Sequence, residues 1–87
     1  MMYMPNIEDL LLSMVKPLVL HPDELIVRIE ETSEFMEYHL VLNQDDIGRV
    51  IGRQGRVVQA IRTILYSVRD KGNKRVRLVI NDAQENE

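Results

Sequence analysis

Ile47-Gly48-Arg49-Val50-Ile51-Gly52-Arg53-Gln54-Gly55-Arg56-Val57-Val58-Gln59-Ala60-Ile61 sets two glycines, Gly52 and Gly55, three positions apart between segments of helical apolar spacing. So short a link between helices forces a sharp turn, and glycine reaches backbone angles that other residues resist. It also leaves no Cβ in the way of an approaching phosphate backbone. The amides of the loop and of the first turn of the next helix are expected to point outward as unsatisfied donors. That makes an anion site which the helix dipole favours. Arg53 lies inside the loop, Arg49 before it and Arg56 just after it. Guanidiniums around an amide-rich turn suit a phosphodiester chain. The bare glycine pair fits equally well a tight helix–helix turn that binds nothing. It is no P-loop, because the lysine and Ser/Thr of that motif do not follow.

Downstream, the spacing predicts a long helix over residues 56–70, with Val57, Val58, Ile61, Ile64, Leu65 and Val68 on the buried face. Arg56, Gln59, Arg62 and Arg69 lie opposite. Gly72-Asn73 is a natural helix stop and turn. A strand over 75–80 points Val76, Leu78 and Ile80 inward, and residues 81–87 form a polar, acidic, frayed tail. Upstream, Asn43-Gln44-Asp45-Asp46 is a polar break, with the acidic pair as helix cap before a short helix over 45–51. Residues 35–42 alternate, with Met36, Tyr38, Leu40 and Leu42 on one face. Residues 25–30 make another strand, and the linker Thr32-Ser33-Glu34 joins the two as an antiparallel hairpin. His21-Pro22-Asp23-Glu24 is a polar turn. A first helix over 6–16 has Ile7, Leu10, Leu11, Met14, Val15 and Leu18 on one apolar face, with Asn6 as N-cap, and Pro17 ends or kinks it. The order is α-β-β-α-α-β. This is a two-layer α+β fold, a three-stranded sheet covered on one face by three helices, in one domain over residues 1–80.

Composition narrows the function classes. A chain of 87 residues is one small domain. Apolar residues make up 45%, enough for a core and against disorder. No cysteine is present, so disulfides and Cys-ligated metals are excluded, which fits a reducing compartment. His21 and His39 share no metal-ligand spacing. Neither a signal peptide nor a membrane-length apolar run is seen, so the expected setting is cytoplasmic, without membrane insertion. No nucleophile or triad pattern supports an enzyme, and neither metal nor cofactor is expected. The net charge of −3 hides a division. Residues 1–47 hold two basic groups (Lys16, Arg28) against ten acidic ones, whereas residues 48–80 hold nine basic groups against Asp70 alone. Such polarity either presents a basic face to an anionic partner or is spent on pairing between the two halves.

The central run resembles the signature of the KH domain, an RNA-binding module whose loop clamps the backbone of about four nucleotides of single strand. The element order looks like the bacterial, type II form. A lone KH domain of this length resembles the KhpA family of small bacterial KH proteins. That resemblance spans residues 6–80, including His21-Pro22-Asp23-Glu24 and the run into Ala60-Ile61-Arg62. Arg49 stands where the family commonly has lysine, and Leu20 where it often has an acidic residue. The resemblance implies a cytoplasmic RNA-binding, chaperone-like protein that self-associates or pairs with a second KH protein of the KhpB (Jag, EloR) type. It also implies a role in cell elongation, cell shape and cell wall synthesis.

On this basis Arg49, Ile51, Gly52, Arg53, Gln54, Gly55 and Arg56 are the candidate RNA-binding residues. Gly52 and Gly55 allow close approach, and Arg53 and Gln54 form the tip. Of Val50 and Ile51, one should face the core and the other floor an apolar groove; Ile51 is assigned to the groove. Arg62 is read as a solvated or ion-paired residue, and Arg75 and Arg77 as partners of Glu30 and Glu37. Aromatic platforms are few (Tyr3, Phe35, Tyr38, Tyr66), and Tyr38 is read as core. The alternative function is a protein–protein adaptor that uses the same fold for dimerisation, with little RNA binding.

Overall fold

The computed structural model describes residues 6–68 and 74–82. Tyr3, the proposed helix residues Arg69 and Asp70, the Gly72-Asn73 turn and residues 83–87 lie outside them. Helix α1, Ile7–Val15, starts where Asn6 accepts the Asp9 N–H at 2.7 Å, which satisfies one of the free donors of the first turn. It buries Ile7, Leu11 and Val15, spaced four apart on one face. Pro17 does not kink an α-helix here. The α-helix stops at Val15, and Lys16–Leu18 tightens into a 3-10 turn. A second 3-10 turn, Pro22–Glu24, leads to strand β1, Ile26–Glu31.

Strand β2, Phe35–Leu42, pairs antiparallel with β1, and Thr32 closes the connection by accepting the Phe35 N–H on its Oγ1. Strand β3, Arg75–Asp82, runs two residues beyond the expected end and pairs parallel with β2. The sheet order β1-β2-β3 makes β2 the centre and leaves β3 with a free outer edge. Between β2 and β3 lie helix α2, Gln44–Ile51, a 3-10 turn at Arg53–Gly55, and helix α3, Arg56–Tyr66.

The core is one cluster between the helices and one sheet face. Tyr38, Leu40 and Leu42 from β2 and Val76 and Leu78 from β3 meet Leu11, Val15, Val50, Val58, Ile61 and Leu65 from the helices. Burying each of the fully enclosed leucines is worth roughly 1.5–3 kcal/mol. The fold is therefore the expected α+β sandwich, with all three helices on one side of the sheet.

Helix α3 is shorter than its apolar pattern suggests. Beyond Tyr66 the Ser67 and Val68 amides donate to the carbonyls three residues back, Ile64 and Leu65. The last turn is thus tightened and not extended. Ile64 and Val68, expected in the core, are 47% and 36% exposed.

Candidate nucleic-acid interface

The two glycines do what their spacing suggests. Gly52 has φ +79° and Gly55 φ +76°, and between them Gln54 is also left-handed at φ 58°. This backbone reverses α2 into α3 within four residues. A Cβ on Gly52 would stand 2.3 Å from Val57 Cγ2 and 2.8 Å from the Val57 amide nitrogen. A Cβ on Gly55 would meet nothing within 4 Å. Gly52 is thus needed by the turn itself, while Gly55 faces open space.

The amides are less free than expected. The Gly52 N–H donates to the Gly48 carbonyl at 2.8 Å, the Gly55 N–H to the Gly52 carbonyl at 3.1 Å, and the Arg56 N–H to the Arg53 carbonyl. Much of the loop's donor capacity closes the turn, and recognition of an anion falls more on side chains. Arg49, Arg53 and Arg56 are exposed, as is Gln54. Among the described residues none of these guanidiniums forms an ion pair.

Val50 is fully buried, whereas its neighbour Ile51 lines a trough of about 650 Å³. The trough lies between the helices and the outer edge of β3. Its other walls include Val58, Arg62 and Tyr66 from α3 and Leu78 and Ile80 from β3. An apolar floor beside a cationic loop is an arrangement that can hold bases while their phosphates lie on the arginines. Arg62 is half-buried in this trough, without an ion pair among the described residues. Helical spacing alone places it opposite the core, as a solvated or paired residue, and cannot show the neighbouring strand. Arg77 does meet Glu37, at 3.8 Å. Arg75 faces Phe35 across the parallel register and no glutamate, and Glu30 lies 3.7 Å from His39 instead.

The acidic pair lies inside the first turn of α2 and does not cap it. Asn43, not Asp45 or Asp46, caps the helix, its Oδ1 accepting the Asp45 N–H at 2.7 Å. Asp46 is fully buried and accepts the Leu20 N–H at 2.8 Å and the His21 N–H at 3.0 Å. Burial pushes its pKa up, but the two backbone donors, with the charges of His21 and Arg49, outweigh that and leave it lowered. Asp46 thereby ties the helix that carries the loop to the connection after α1. Leu20 contributes only its backbone to this tie. Its side chain is 61% exposed, so the departure from an acidic residue there leaves the turn intact.

On the other face of the sheet, Glu30, Glu37 and His39 bring donor atoms within 4.8 Å of one another. Histidine spacing along the chain could not reveal this, since strand pairing assembles it. The ring is occupied by protein groups: Nε2 lies 3.1 Å from Glu37, and Nδ1 lies 3.2 Å from the Asn81 side-chain amide. Among the described residues no helix is long and apolar enough to cross a membrane.

Comparison with known proteins gives the family. The family model described as KhpA/KhpB, KH domain matches residues 8–80. The chain is 56% identical over 82 residues to RNA-binding protein KhpA of Lactiplantibacillus plantarum, covering 94% of this chain and 96% of that one. It is 56% identical over 79 residues to RNA-binding protein KhpA of Streptococcus pneumoniae serotype 4, covering 91% and 99%. With RNA-binding protein KhpA of Listeria monocytogenes it shares 49% over 73 residues, covering 84% and 96%. No solved structure matches the chain.

Proposed function

The chain belongs to the KhpA family of KH-domain proteins, and we propose that it binds single-stranded RNA through the Gly52-Arg53-Gln54-Gly55 turn. The observation that carries this is the set Arg49, Arg53 and Arg56, exposed and without ion pairs among the described residues, around a turn that follows directly on Ile51, a wall of the trough. Gly52 and Gly55 bring the RNA backbone close, Arg53 and Gln54 contact phosphates at the tip, and Arg49 and Arg56 flank them. Ile51 floors the base groove. Recognition by aliphatic contact and few aromatics gives weak sequence preference. The protein acts in the cytoplasm without chemistry of its own, as an RNA chaperone. It works as a homodimer or with a second KH protein of the KhpB type, in the control of cell elongation, cell shape and cell wall synthesis.

Amide NMR during titration with a single-stranded oligonucleotide tests the RNA step. Shifts concentrated at residues 49–57 and along β3 are the expected result. Shifts confined to the far sheet face, or none, contradict it and favour the adaptor function. The exposed Ile64 and Val68 on the outer side of the α3 segment would then be the surface to examine.

A further inference from the structure

The trough beside the loop has a neighbour that shares Tyr66 as a wall. A second hollow of about 470 Å³ is lined by Phe35, Tyr66, Val68, Arg75, Val76 and Arg77. Tyr66 and Arg77 belong to both hollows. Both hollows touch β3, whose residues from Arg75 to Ile80 span roughly 17 Å at about 3.3 Å per residue. Tyr66 marks the join. Its hydroxyl accepts the Leu78 N–H at 3.2 Å, and the residue remains 46% exposed. Past it, the Arg77 guanidinium sits 5.5 Å from the centre of the Phe35 ring. Arg75 is exposed beside them and makes no ion pair among the described residues.

We infer that this second hollow is a base-binding subsite for single-stranded RNA, taking one or two nucleotides beyond those held at the loop. The inference rests on the loop being an RNA clamp and extends its footprint. Three features favour nucleic acid as the occupant. The hollow shares the walls Tyr66 and Arg77 with the base trough. Among the described residues its cations outnumber its acids, since Arg62, Arg75 and Arg77 line the two hollows and only Glu37 approaches one of them. It also combines aromatic rings with guanidiniums, the pair of surfaces on which unstacked bases settle. A base stacks on the Phe35–Arg77 pair or the Tyr66 ring, and the adjoining phosphate meets Arg75.

The test is a length series read by fluorescence anisotropy, with tetrauridylate and hexauridylate as probes. A clamp for about four nucleotides finds about three registers on the hexamer, so length alone raises affinity about threefold. With the second subsite occupied, the wild type gains about tenfold or more. Phe35→Ala and Arg75→Glu each keep the tetramer affinity and reduce the gain to about threefold. Arg75→Glu also makes the hexamer's salt slope shallower by about 0.7, the mark of one lost phosphate contact. Arg75 is exposed, so this variant carries the test if Phe35→Ala does not fold. A wild-type gain of only threefold, or a full gain surviving in Arg75→Glu, overturns the second subsite. Tetramer binding that is abolished by Arg53→Asp with Gln54→Asp keeps the clamp standing in either case. If the wild type binds neither probe, clamp and subsite fall together.

Discussion

At the scale of single residues, the two loop glycines look alike in the sequence and differ in the structure. Both have positive φ, but only Gly52 has a neighbour, Val57, where its Cβ would go. Gly52→Ala combines backbone strain with a clash against backbone and side chain, and costs roughly 3–5 kcal/mol. Gly55→Ala carries the strain alone, roughly 1–2 kcal/mol. Urea unfolding of both variants checks the difference; equal costs would mean that Val57 gives way. The glycine pair and its arginines were legible because a turn between helices is a local event. Which glycine the fold itself needs was not, since that depends on how α3 packs back on the loop. The buried stripe of α3 shows the same limit. At about 100° per residue, Val58, Ile61 and Leu65 cluster within a narrow arc, and Val57 and Ile64 fall on one flank of it. Val57 is half-buried there and Ile64 exposed, a distinction that apolar spacing does not make.

At the scale of elements, Asp46 decides how firmly α2 and its loop are held. Its donors, Leu20 and His21, lie 26 and 25 residues away and act through backbone amides, which have no residue signature. Local sequence therefore suggests only the nearest task, a helix cap, and Asn43 performs that instead. The Asp46 pKa is lowered on folding. Its stabilisation is thus complete above the unfolded carboxyl value, about 3.9, and is lost as pH falls from there through the lower folded value. Asp46→Asn replaces an acceptor oxygen by a donor facing two N–H groups and lowers Tm at neutral pH by about 5–10 °C. The variant's Tm should also fall less steeply than the wild type's below about pH 4. Thermal melts from neutral pH down to about pH 2 check both effects; parallel curves would show that the tie does not depend on charge. Strand lengths, the hairpin and the element order were read closely from alternation and linker length. The parallel pairing of β3 with β2, and hence the trough along β3, is a long-range choice that no local pattern encodes.

At the scale of the whole molecule, the described residues of the basic half make few ion pairs with the acidic half. Among the described residues, Lys74 with Glu31 and Arg77 with Glu37 are the ion pairs that join arginine or lysine to a carboxylate. Among the same residues Arg49, Arg53, Arg56, Arg62 and Arg75 make none. A net negative chain can therefore still offer a local anionic-ligand site, and its field stays short-ranged at physiological salt. With three phosphate contacts at the loop, log affinity should fall with log salt at a slope of roughly −2. The most direct test of the loop as the RNA clamp is anisotropy with a single-stranded RNA at two salt concentrations. It compares the wild type with the Arg53→Asp, Gln54→Asp double variant, with circular dichroism to confirm folding. The account predicts a slope near −2 for the wild type and affinity lowered by more than about tenfold in a folded variant. Equal binding by both proteins, or none by either, would contradict it and leave the loop as a turn between two helices.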